Sequence, residues 1–114
     1  MSIILVYHVK EEHRLKVEHG EIPVDFEKNH ELVAAVNTPE QGMAAIEDAY
    51  RLTQNIDDSW MKNPQVDIKG RTPASGGRRS THLGDVLLGN GGAYVCVAIG
   101  WQKLESPTQK VEER

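Results

Sequence analysis

One cysteine, Cys96, in a chain of 114 residues leaves no internal disulfide to form, which excludes the small secreted folds that depend on disulfide staples. It also leaves zinc without a thiolate set, and His13, His19 and His30 have none of the spacing that gathers histidines round a metal on a helix or knuckle. No metal and no cofactor are therefore expected. Long apolar runs are missing too, since nothing approaches the ~20 residues needed to span a bilayer. Met1-Ser2 leads straight into IILVYHV with no basic segment or small-residue cleavage site, so the opening reads as a strand and not a signal. Basic residues are outnumbered, 13 Lys and Arg against 17 Asp and Glu, and the net charge of −4 excludes general coating of nucleic acid or of a membrane surface. Repeats and coiled-coil heptads are absent. These exclusions leave one ordinary globular domain in a reducing cytoplasm, with 39% apolar residues to fill a single core.

The strongest structural signal lies near the carboxy-terminal end. Asp85 to Leu88 and Ala93 to Leu104 are rich in Val, Leu, Ile, Tyr and Trp, and Gly89-Asn90-Gly91-Gly92 between them supplies residues that tolerate positive φ. A type I′ turn at Asn90-Gly91 sets Leu88 opposite Ala93 and Val86 opposite Val95 on one face, with Leu87 opposite Tyr94 and Asp85 opposite Cys96 on the other. Upstream, Ile3 to Val9 is apolar on both faces, which places it at the centre of a sheet. Glu31 to Asn37 reads as a further strand running into a helix start, with Thr38 as cap, Pro39 at the first helical position and Gln41 at the third. Met43, Ile46, Ala49, Tyr50 and Thr53 recur at helical spacing as far as Asn55, while Glu40, Glu47, Asp48 and Arg51 fall on the outer arc. IDDSWM adds one more turn that buries Trp60. Asp57 and Asp58 are read as capping residues, not a catalytic carboxylate pair, because consecutive helical side chains point ~100° apart.

Two segments leave alternatives open. Residues 10–30 are charged and sparsely apolar, and RLKVEHGEIPVDF permits either an edge hairpin turning at His19-Gly20 or a loop. Pro64 to Gly77 has the Gly, Pro and Ser content of a surface loop. Within it and just after it, Lys69, Arg71, Arg78 and Arg79 are offset by Asp67 alone, which makes a basic segment on an acidic protein. It is not a nucleotide-hydrolase phosphate loop, because no glycine-lysine-serine/threonine ending opens a helix. Residues 105–114 lack apolar periodicity and are expected to form a disordered tail. The expected architecture is α+β over residues 1–104: an antiparallel or mixed sheet of four to five strands with one main helix packed on one face.

The pattern Arg79-Ser80-Thr81-His82-Leu83-Gly84-Asp85-Val86, followed by a glycine turn, Tyr94 and Gly100-Trp101, resembles the carboxy-terminal signature of YodL-like domains. Ahead of it, Ala49-Tyr50-Arg51-Leu52-Thr53-Gln54-Asn55 with Trp60 is similar to the helix that precedes that signature. Thr81-His82 stands where a second serine is usual. The resemblance implies a small protein of plasmids, phages and integrating elements, and it brings no settled activity. The residues themselves need no catalysis to explain them. Gly84-Asp85 ahead of a strand is a common turn into a sheet, with the carboxylate accepting backbone N–H groups. Gly100 would permit a close approach to the sheet, and Trp101 would cover a core edge.

The expected function is binding or interaction, with a protein partner or a second copy of the chain as occupant. Weak polyanion binding through residues 69–79 is the first alternative, and a small hydrolase or transferase is the second. That enzyme would use His82 and Asp85 with a clamp from Arg78 or Arg79, although residues three apart in a regular strand face opposite ways. Ser80, Thr81 and Cys96 sit in no nucleophile elbow or Cys-His arrangement, and Cys96 in mid-strand is expected to be a buried, inert thiol. No catalytic residue is therefore assigned. The residues expected to bind a ligand or partner are Tyr7, His8, Trp60, Arg71, Arg78, Arg79, Ser80, His82 and Trp101. A pocket beside Tyr7, Trp60, Arg79 and Trp101 would mark a small-molecule site. The plainer reading of His8 is a histidine with satisfied ring nitrogens at the core edge.

Overall fold

The computed structural model describes residues 2–25, 28–56, 59–70, 78–89, 92–97 and 100–104. Apolar residues on both faces put β1 (Ser2–Val9) in the middle of a sheet. It pairs with β2 (His30–Thr38) on one side and with β4 (Val86–Gly89) on the other. Beyond β2 lies β3 (Val66–Ile68), and beyond β4 lie β5 (Gly92–Cys96) and β6 (Trp101–Lys103). The order is β3-β2-β1-β4-β5-β6, with every pair antiparallel. Between Val6–Ala34 and Tyr7–Leu32 the register shifts, so Val33 is an extra, bulged residue on β2.

The β4–β5 hairpin has the expected register: Val86 pairs with Val95, Leu87 with Tyr94, Leu88 with Ala93 and Gly89 with Gly92. Positions 90 and 91, where the type I′ turn was placed, lie outside the described residues. Gly89 has a packing reason of its own, because a Cβ there would collide with the Ile4 side chain.

Each face of the sheet carries its own core. On one, α2 (Gly42–Leu52) turns Ala45, Ile46, Ala49 and Leu52 inward against Ile4, Val6, Ala34, Val36 and Leu87. Trp60, 1% exposed at the head of a 3₁₀ turn over Trp60–Lys62, closes that core. Adjacent strand residues point to opposite faces, so Val86 and Val9 belong to the other side, where Val17, Val24, Val95 and Leu104 join them. Val17 comes from α1 (Arg14–Glu18), which follows a 3₁₀ turn over Glu11–His13.

Several expectations are corrected. Among the described residues the sheet has six strands, not four to five, for two reasons. Val66–Ile68, in the segment read as a loop, adds to the free edge of β2. The run read as one strand to Leu104 folds back at Gly100, φ 80°, into β5 and β6. There are two helices among the described residues and they lie on both faces, because the charged segment 10–30 carries α1 and no hairpin. The helix α2 begins at Gly42 behind Gln41, later than Thr38. Thr38 stays in β2; its hydroxyl accepts the Glu40 N–H at 3.1 Å and donates to Asp48 Oδ2 at 2.7 Å, so it ties the connection to α2 without capping it. Asp57, Asp58 and the tail 105–114 lie outside the described residues. No described helix is long and apolar enough to cross a membrane.

Candidate functional site

Residues 78–85 lead into β4 without belonging to a strand, yet Arg78, Thr81, Gly84 and Asp85 are buried. Buried backbone groups need partners, and side chains at the end of α2 supply them. Asn55 Nδ2 donates to the Arg78 carbonyl at 2.8 Å, Trp60 Nε1 to the Arg79 carbonyl at 2.8 Å, and Gln54 Nε2 to the Thr81 carbonyl at 3.0 Å. The Thr81 N–H donates to the Thr53 carbonyl at 3.1 Å, and the Asn55 N–H to Ser80 Oγ at 2.8 Å.

The β1–β4 ladder ends at Tyr7 and Val86, which leaves Val9 beyond it. An ion pair takes the place of the missing strand. Asp85 Oδ1 accepts the Val9 N–H at 2.8 Å, while Arg79 Nη2 donates to the Val9 carbonyl at 3.1 Å. The same guanidinium grips both carboxylate oxygens, Nη1–Oδ2 at 2.5 Å and Nη2–Oδ1 at 2.8 Å, and Oδ2 also accepts the His82 N–H at 2.7 Å. Asp85 is fully buried, and this bidentate pairing with two backbone donors offsets its desolvation. Burial works against the Arg79 charge, but the Asp85 hydrogen bonds and charge outweigh it and raise its pKa above the ordinary value.

His8 joins the same cluster. Its Nε2 lies 3.0 Å from Thr81 Oγ1, which lies 2.7 Å from Thr53 Oγ1, and that hydroxyl donates to the Ala49 carbonyl at 2.9 Å. Asp85 Oδ2 is 3.8 Å from the same Nε2. A threonine, a histidine and an aspartate in contact resemble a nucleophile relay, but a relay holds the hydroxyl on one ring nitrogen and the carboxylate on the other. Here both approach Nε2, and Thr81 is fully buried. Burial lowers the His8 pKa to about 4; Asp85 opposes that shift, and Arg79, Arg78 and His30 add to it. So weak a base does little near neutral pH. His30 Nε2 pairs with the Gly84 carbonyl at 2.7 Å, and burial lowers its pKa as well.

Of the residues expected to bind, His8, Trp60, Arg79 and Ser80 come together, and the His8 and Trp60 rings meet edge to face with centroids 6.1 Å apart. His82 contributes its backbone only. Its exposed ring places Nδ1 3.8 Å from Glu18 Oε1, so it makes no side-chain pair with Asp85. Arg78 is buried with its guanidinium 3.7 Å from Glu31, and Lys69 pairs with Asp67 at 2.9 Å. Arg71 lies outside the described residues. Tyr7 belongs to the opposite core, and Trp101 sits on the edge strand β6 against Tyr50. The four residues expected round one pocket are therefore divided between the two faces.

An open groove of about 380 Å³ lies instead between α2 and the β5–β6 turn. Its described lining is Glu47, Tyr50, Cys96, Val97, Gly100 and Trp101. One helical turn brings Glu47 beside Tyr50, and the β5–β6 pairing sets Cys96 opposite Trp101. The Tyr50 and Trp101 rings meet edge to face, 5.5 Å between centroids and 85° between planes. A Cβ on Gly100 would find nothing within 4 Å, so glycine serves the positive φ there and not the close approach expected of it. The sequence singles out Trp101; Tyr50 packs against the core and Glu47 is exposed, as their helical spacing predicts, and neither position by itself signals the groove. Burial raises the Tyr50 pKa, and burial with Asp85 lifts Cys96 to about 11, so neither carries charge near pH 7. Native Cys96, 8% exposed, should accordingly react slowly with a thiol reagent and speed up on denaturation; equal rates would place it at the surface.

Among the described residues no three His, Cys, Asp or Glu side chains are grouped to hold a metal ion. No known protein family, curated protein or solved structure matches the chain at a significant level.

Proposed function

We propose that this chain is a small binding domain whose recognition surface is the Tyr50–Trp101 groove, while the 78–85 segment holds the fold together. One contrast carries the reading. The polar groups that resemble a catalytic cluster are buried and bonded to one another, whereas the aromatic groove is open. The two pieces that resemble YodL-like domains are the two that these hydrogen bonds join, through Thr53, Gln54, Asn55 and Trp60 on one side and Arg78 to Thr81 on the other. The residues that carry the resemblance thus have a packing role in this chain, whether or not it belongs to such a family of mobile elements. A protein partner remains the expected occupant. The assignment is tested by ¹H–¹⁵N spectra recorded with a set of small aromatic and amphiphilic fragments. Shifts are expected at Glu47, Tyr50, Val97, Gly100 and Trp101; a response centred on His8, Thr81 and Asp85 would move the site to the polar cluster.

Polyanion binding through residues 69–79 has less support, since Arg78 and Arg79 are held by internal partners. Lys69 pairs with Asp67 only at the exposed surface, so it and Arg71 are the cations left to meet phosphates, and any binding to duplex DNA should fall with salt at a log–log slope no steeper than about −2. A slope of roughly −4 would put all four cations on phosphates.

A further inference from the structure

Among the described residues that line the groove, Glu47 is the one acidic or basic side chain. It has no hydrogen-bond or ion-pair partner among the described residues, and Arg51, one turn further along α2, is held by Asp48 at 2.6 Å. Beside it stand two aromatic rings at right angles, whose π faces attract positive charge. An anion entering here would meet the Glu47 carboxylate, and a neutral apolar group would cover that carboxylate without pairing it. A cation on an apolar stem satisfies both walls, the charge against Glu47 and the stem along Val97 and the rings. The space beside Gly100 gives it a way in.

We infer that the groove takes an organic cation, a guanidinium or ammonium group on an apolar stem; this rests on the groove being the recognition surface. The cation can be an arginine or lysine side chain of a protein partner, or a free polyamine.

The probes are N-acetyl-arginine amide, its neutral isostere N-acetyl-citrulline amide, a Gly-Arg-Gly peptide and spermidine. The signal is the Trp101 indole Nε1–H, with that of buried Trp60 as internal control. The arginine probe should move the Trp101 resonance and the citrulline probe should not. Glu47→Gln, an exposed helix position that leaves the core untouched, should weaken the arginine probe roughly fivefold. A peptide that binds more tightly than spermidine supports a side chain of a partner, and the reverse order supports a free polyamine. Equal shifts with citrulline, unchanged in Glu47→Gln, would overturn the cation and leave the groove as a binding surface. A Trp101 resonance unmoved by all four probes and by the fragment set would overturn both.

Discussion

Replacing Arg79 with leucine should destabilise the fold by about 3–5 kcal/mol, because it strands the Asp85 carboxylate, fully buried, without its counter-charge. A domain of this size has a total stability of about 5–15 kcal/mol, so the variant stands near the edge of folding. The loss is larger than that of an ordinary surface ion pair, for the same guanidinium also closes the Val9 carbonyl where the β1–β4 ladder stops. Asp85→Leu should be similarly harmful, since it leaves Arg79 and the Val9 and His82 N–H groups without their acceptor. The double variant removes the buried charge altogether and should lose clearly less than the sum of the two single losses. Urea midpoints of the four proteins measure this cycle. An Arg79→Leu loss below about 1 kcal/mol, the range of exposed pairs, would mean that Asp85 is solvated in solution and that the cluster is not a clamp.

The second large effect is acid sensitivity. His8 has a folded pKa of about 4 against an ordinary 6.5, and it is 3% exposed. The unfolded chain therefore binds a proton between pH 6.5 and about 4 that the folded chain refuses. Stability is full above pH 6.5 and falls by about 3 kcal/mol as the pH drops through that window. His30, lowered by burial, acts with the same sign. The groups facing His8 do not reverse it: Asp85 favours the imidazolium, but Arg79, Arg78 and His30 oppose it and burial dominates. Unfolding free energies at pH 7.5 and pH 4.5 should differ by about 2–3 kcal/mol in the native sequence, and by distinctly less in His8→Leu. An identical pH slope in His8→Leu would assign the acid sensitivity to other groups.

What could be read from the sequence was what local pattern determines. Alternation with a glycine-rich turn gave the β4–β5 register, apolar residues on both faces put Ile3–Val9 at the centre, and Asp85 was expected to accept backbone N–H groups, as it does from Val9 and His82. The losses have physical causes. Val66–Ile68 is too short to show a period and becomes a strand only because β2 offers an open edge. In α1, five residues bury Val17 alone, which is no stripe. The break between β5 and β6 depends on a positive φ at Gly100 within an otherwise continuous apolar run. The Arg79–Asp85 grip crosses a turn whose geometry no spacing rule supplies. The groove joins Glu47 and Tyr50 to Trp101, which sequence separation places far apart and only the packing of α2 across the sheet brings together.

Affinity for the arginine probe, measured in Thr81→Val and in Trp101→Leu under conditions where both are fully folded, tests the division of labour most directly. Thr81 Oγ1 links His8 to Thr53 inside the core, so Thr81→Val should lower the unfolding free energy by about 1–3 kcal/mol and leave the probe affinity unchanged. Trp101→Leu removes one of the two rings of the groove and should weaken the probe roughly tenfold. The reverse result, with affinity lost in Thr81→Val and kept in Trp101→Leu, would place the function in the buried cluster and contradict the account.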